Sequence, residues 1–245
     1  MTAPDDVDLD RVWTGVAAEV WRRHPGRLER TAAKLLKSPG LARALLTTQS
    51  LLFPWLIAST VVLAIGALTQ VAADQPLVWL LTPAVAAIGI AYAYGPGVDP
   101  AWELASSCAV SDRMVLLTRA VAVFAVNALL GLAASAATLG TRAEAHTAQL
   151  TFAWLLPMTA VCALTLAAAV AVRSAVAGAG AGVAAWILFV LARSALATPQ
   201  GPGQSAAVNL AAAVTDPNLY LPYLAVAACC AAVVYYVTRP QRGTQ

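Results

Sequence analysis

Six stretches of this chain run for about twenty residues with almost no charge, close to the length a helix needs to cross about 30 Å of hydrocarbon. They are Ser50–Thr69, Pro76–Tyr94, Met114–Thr138, Leu150–Val172, Ala175–Leu196 and Leu219–Val237. Their apolar residues are continuous and do not alternate, so they predict helices and not the strands of a barrel. The whole 245-residue chain is 60% hydrophobic and only 11% charged. Soluble domains carry about 25% charged residues. The expectation is an all-α, polytopic membrane protein with six transmembrane helices.

Arginine and lysine placement orients the spans. Arg11, Arg22, Arg23, Arg27, Arg30, Lys34, Lys37 and Arg43 precede the first span. Arg113 and Arg119, then Arg173, then Arg239 and Arg242 recur at every second boundary, against Arg142 and Arg193 on the other side. Both termini are therefore expected in the cytoplasm. Met1–Asp10 is acidic and lacks an apolar core, so the first span is expected to serve as its own insertion signal.

The chain divides at residue 48. Residues 1–48 are read as cytoplasmic helices and residues 49–245 as the six-span domain. A first helix capped by Asp8 or Asp10 is expected to run to Arg23 and to break at His24-Pro25-Gly26. In the next, Arg27, Arg30, Lys34 and Lys37 share one face at 100° per residue, while Leu28, Ala32, Leu35 and Leu36 share the other. A basic amphipathic helix of this kind lies in the headgroup layer, with its cations on anionic lipid. An ordinary juxtamembrane anchor has the same pattern.

Polar residues inside the spans are few. Asn127 is expected to face another helix as packing glue. Gly131, Gly178 and Gly182 are candidates for close helix approach, the last two being four residues apart on one face. Pro54, Pro83 and Pro157 are candidate kinks, and Arg119 and Arg193 are near enough to span ends to snorkel. On the outer side, Ser205–Val214 is too short to span and is expected to be a re-entrant or interfacial external helix packed on protein, a plain extracellular linker being the other reading.

Catalytic and metal motifs are missing from the sequence. It contains no G-x-x-x-x-G-K-[ST] phosphate loop, no G-x-S-x-G and no H-E-x-x-H. Cys108, Cys162, Cys229 and Cys230 have no C-x-x-C spacing, and His24 and His146 lie far from them, so the cysteines are read as small packing residues and no metal is expected. The chain is not expected to be an enzyme, to hold a cofactor or to bind nucleic acid.

The loop between the second and third spans is acidic and proline-interrupted. Gly95-Pro96-Gly97 ends one helix, and Asp99 before Pro100 reads as an N-cap with proline at the first helical position. Glu103 falls in the first turn, where an acid favours the helix dipole. A short capped helix carrying Trp102 and Glu103 at the cytoplasmic surface is expected as a docking element, an ordinary loop being the other reading; Ser111 or Asp112 then caps the third span.

The layout and the passage "WELASSCAVSDRMVLLTRA", Trp102–Ala120, resemble the membrane (permease) subunit of a bacterial type-2 ABC exporter. That family has an N-terminal amphipathic elbow helix, six spans, a cytoplasmic coupling helix between spans two and three, and external helices between five and six. The resemblance implies that Glu103, Leu104, Ser111 and Arg113 face or support a separate ATPase subunit, which would supply ATP and Mg. It also implies a homodimer or a heterodimer with a second permease, in the bacterial inner membrane. Alanine-rich usage with only Lys34 and Lys37 as lysines points to a GC-rich bacterial genome. Few charges in the spans favour a lipid, an amphipathic natural product or a peptide over a small ion as substrate. Two other readings fit the same layout: an accessory membrane subunit of a transporter, and a membrane-anchored sensor or anti-sigma regulator. His24 has no cysteine near it of the kind a zinc-bearing regulator head would need.

Overall fold

The structure, a computed structural model, describes residues 10–15, 27–36, 49–73, 77–94, 112–139, 154–196 and 206–239. It separates into two compact units, residues 1–46 and 47–245. In the first unit, residues 10–15 are helical and α1 spans Arg27–Leu36. Arg27, Arg30 and Lys34 are exposed on α1. Lys37 lies outside the described residues.

The second unit is helical throughout its described residues: α2 (Gln49–Ala73), α3 (Leu77–Ala93), α4 (Asp112–Leu139), α5 (Leu155–Val172), α6 (Ala175–Leu196), α7 (Ala206–Val214) and α8 (Tyr220–Val237). A 3-10 turn, Pro217–Leu219, leads into α8. Five helical stretches, in α2, α4, α5, α6 and α8, are long and apolar enough to cross a membrane. These helices fit a transmembrane protein. The spacing of apolar residues predicts α6 to the residue, and α5 begins later than expected, at Leu155.

The long helices alternate in direction. Near its end α2 brings Gly66 to Val78 and Leu81 at the start of α3, while Trp55 near its own start meets Gly89 late in α3. Arg113 at the start of α4 meets Tyr235 at the end of α8. One end of the bundle therefore collects Tyr94, Arg113, Arg173 and Arg239, and the opposite end carries α7, Arg193 and Asp216.

The helix α3 packs against α2, α4, α5 and α6. Its small residues allow this. Ala86 points into an apolar cluster with Ile90, Val123, Trp154 and Met158, while the next residue, Ala87, points into another with Val161, Trp186 and Val214. Two indoles are seated on glycines. A Cβ added at Gly131 would lie 2.6 Å from the Trp154 ring, and one at Gly89 would lie 2.6 Å from Trp55 Nε1. Trp154 is fully buried, and a tryptophan buries about 150–250 Å².

The helices α5 and α6 form a tight antiparallel hairpin. Arg173 closes α5 in the left-handed conformation (φ 57°), its N–H donating to the Ala169 carbonyl. Ser174 follows and accepts a hydrogen bond from Ala177 N–H at 3.3 Å, capping α6. The Gly178 backbone then meets Ala169, and Gly182 meets Thr165. Without a side chain at either glycine the two backbones approach closely, which is how helices associate where lipid removes the hydrophobic driving force.

One expectation about prolines is corrected. Pro157 sits in the first turn of α5, where no intrahelical N–H is required, so it starts the helix and does not kink it. Pro83 is inside α3, where it removes the donor that would serve the Trp79 carbonyl.

Candidate functional site

Most of the predicted docking element (Asp99, Trp102, Glu103, Leu104 and Ser111) lies outside the described residues. Arg113 is described, and it opens the site that the geometry offers. It projects from the first turn of α4 with its guanidinium 4.2 Å from the centroid of the Tyr235 ring on α8. Arg239, just past the end of α8, lies 4.7 Å from the same centroid and 5.1 Å from that of Tyr236. Its Nη2 also donates to the Tyr235 hydroxyl at 3.2 Å. Two guanidinium groups thus converge on one ring, an arrangement that uses the negative face of the aromatic system.

Behind this pair a groove of about 230 Å³ runs along the bundle, lined by Leu117 of α4, Ala163 and Leu166 of α5, and Ala231 and Val234 of α8. The groove exists because α4 and α8 both pack on α5 and leave a gap above its small residues. Its wall is apolar except at the Arg113–Tyr235 end. It is smaller than the roughly 300–1,000 Å³ of sites for drug-sized ligands. The shape admits a slender apolar segment with an anionic end.

The opposite end of the bundle holds the other polar arrangement. Arg193 of α6 donates from Nε (3.0 Å) and Nη2 (2.7 Å) to the Ala213 carbonyl at the end of α7. Its Nη2 lies 3.7 Å from Asp216 Oδ2. The Tyr223 hydroxyl of α8 donates to the Val214 carbonyl at 2.9 Å. Carbonyls in the last turn of a helix have no partner in their own ladder, and these two are satisfied from α6 and α8. Leu210 and Val214 of α7 pack on the cluster around Trp186. The expectation of a short external helix over Ser205–Val214 corresponds to α7. Arg193 was expected to snorkel; it instead fastens α7 to the bundle.

Arg119 was also expected to snorkel. It is buried, 5% exposed, on the same face of α4 as Val115 and Val123, and is engaged there by neighbouring groups. A guanidinium at that depth faces protein, as a buried charge must. Asn127, on the same face, is 1% exposed but does not make the interhelical bond expected of it. Its Nδ2 donates to Val123 O of its own helix at 2.9 Å, and its Oδ1 is buried without a partner. Trp186 does make a side-chain hydrogen bond between helices, donating from Nε1 to the Leu80 carbonyl of α3 at 2.9 Å. Gly131, Gly178 and Gly182 all lie against neighbouring helices of the same chain.

Of the cysteines, Cys162 is buried in the α3–α4–α5 cluster, whereas Cys229 is exposed on α8 and does not pack between helices of this chain; Cys108 lies outside the described residues. No group of three or more histidine, cysteine or acidic side chains that could hold a metal occurs among the described residues.

Sequence reasoning missed Tyr235 as the centre of an arginine pair, and Trp186 and Tyr223 as donors between elements. The signal for Tyr235 was the aromatic doublet Tyr235-Tyr236 followed by Arg239, a combination typical of membrane–water boundaries. Compared with protein-family models, curated proteins and solved structures, the chain matches none.

Proposed function

We propose that the chain is a permease subunit of an ATP-driven exporter in the bacterial inner membrane, with six spans and both termini in the cytoplasm. The observation that carries this reading is the order of parts. Long helices alternate in direction, a basic helix stands ahead of them, and a short helix is fastened between α6 and α8 at the end away from most of the arginines. On this reading α3 is the second span. Its 17 residues rise about 25 Å at 1.5 Å each, and four helices enclose it. A short span packed on four longer helices meets protein on most of its faces, with Ile88 and Tyr92 left exposed, so it need not match the full hydrocarbon thickness.

The arginine-rich end is then cytoplasmic, and α1 is the elbow. The segment from Gly95 to Arg113 would dock on a separate ATPase subunit through Trp102 and Glu103. The permease would work as a pair with a second copy or a homologous subunit. The chemistry of ATP and Mg would belong to the partner.

The test is the double substitution Trp102→Ala with Glu103→Arg, which removes an aromatic anchor and inverts a charge at an interface. Membrane abundance is expected to stay normal, because no span loses apolar length, while the ATPase subunit no longer co-purifies and export stops. Undiminished co-purification and export would overturn the docking assignment. Recovery of a transcription factor and no ATPase with the unmodified chain would favour the regulator.

A further inference from the structure

We infer that the groove between α4, α5 and α8 holds one acyl chain of an anionic phospholipid whose phosphate is bound by Arg113 and Arg239. This goes beyond the exporter reading and does not rest on it. The first support is charge. Two guanidinium groups meet at Tyr235 at one mouth of an otherwise apolar groove. Stacking on a ring occupies the flat face of a guanidinium and leaves its edge N–H groups to donate, and phosphate is the acceptor that fork fits. Arg239 spends one of its donors on the Tyr235 hydroxyl, and each arginine has five.

The second support is shape. Leu117, Ala163, Leu166, Ala231 and Val234 line a cleft of about 230 Å³ that continues from the arginine pair along the helices. Its lining covers one turn each of α4, α5 and α8 next to the arginine pair, so it seats the part of a chain nearest the headgroup. Its volume suits the first several methylenes of a single slender chain and not a folded solute. The third support is position: Arg113 opens α4 and Arg239 follows α8, the level at which tyrosines and basic side chains meet headgroups.

The experiment uses the full chain, purified in detergent doped with equal amounts of phosphatidylglycerol and phosphatidylcholine, with retained lipid counted by native mass spectrometry. Phosphatidylglycerol should be retained in preference by roughly fivefold per arginine, the ratio corresponding to about 1 kcal/mol for each cation near an anionic surface. Arg113→Gln with Arg239→Gln should bring the two lipids to equal retention, and Arg113→Lys with Arg239→Lys should keep only part of the preference, since an ammonium retains the charge but not the fork. Ala231→Phe grows from an exposed position of α8 into the groove and leaves both arginines in place. It should abolish retention of either lipid. Equal retention by the unmodified chain, or an unchanged preference in the glutamine pair, would overturn the proposal. Unchanged binding in Ala231→Phe would overturn the groove as the seat of the acyl chain. A lipid-free dimer as the sole species would show that a second copy fills the groove instead.

Discussion

The hydroxyl of Thr165 on α5 lies in the notch left by Gly182 on α6, and four residues later on α5 and four earlier on α6 Ala169 meets Gly178 in the same way. The crossing is built from a threonine, an alanine and two glycines, with no room for a side chain on the α6 side. Gly182→Ala is expected to destabilise the protein by about 1–3 kcal/mol, the usual cost of overpacking. Thr165→Ala in the same chain should recover much of that loss. Gly180, with open space at its Cβ position, should accept alanine and gain up to about 1 kcal/mol of helix propensity. Thermal unfolding in detergent separates the three, and equal effects at Gly180 and Gly182 would refute the register.

Arg193→Ala is expected to loosen α7. It removes two hydrogen bonds to the Ala213 carbonyl, which a charged donor makes worth about 1.5–3 kcal/mol each. Asp216→Asn should cost less than about 1 kcal/mol, since that pair is 3.7 Å apart and partly exposed. A cysteine placed at Leu210, which packs on the Trp186 cluster, reports the difference. Its labelling should speed up markedly with Arg193→Ala and hardly at all with Asp216→Asn.

Asn127→Leu should leave stability within about 1 kcal/mol of the original, or raise it. The amide makes one bond, to a carbonyl of its own helix, and buries an acceptor that nothing satisfies. Unfolding temperature and transport are measured on the same preparation. A loss of several kcal/mol would mean that Asn127 holds two helices together, whereas lost transport at full stability would assign it to the path.

Orientation is tested with single cysteines in a chain whose native Cys108, Cys162, Cys229 and Cys230 are replaced by serine. On the six-span reading, an impermeant thiol reagent added to intact cells labels a cysteine at Asn218. Cysteines at Lys34 and Thr238 are reached only after the cells are opened. Labelling of Lys34 and Thr238 from opposite sides would mean that α3 does not cross.

The long helices were legible because the length of an apolar run is a property of the sequence alone, and the Arg173-Ser174 break between α5 and α6 is local chemistry. Depth was not legible. Arg119 and Arg193 look alike as arginines near span ends, yet one is buried among helices and the other reaches across to α7, because neighbours decide what a side chain meets. Asn127 faces protein as expected, but its bond stays within its own helix: a short amide can bond the carbonyl one turn back as readily as a neighbouring helix. The groove needs α4 and α8 side by side over α5, and no local pattern in Arg113 or Arg239 announces that arrangement. The predicted docking residues from Asp99 to Ser111 rest on sequence reasoning alone.

The two-residue joint at Arg173 and Ser174 also bears on how the protein is made. With so little slack, α5 cannot settle in lipid far from the place where α6 will arrive. If α5 left the insertion machinery alone, its Thr165 hydroxyl would face hydrocarbon, and the glycine notches of α6 would still be on the ribosome. The economical route into the bilayer is for α5 and α6 to leave together as a prepaired hairpin. Lengthening the joint with a few flexible residues should then slow biogenesis more than it weakens the finished bundle.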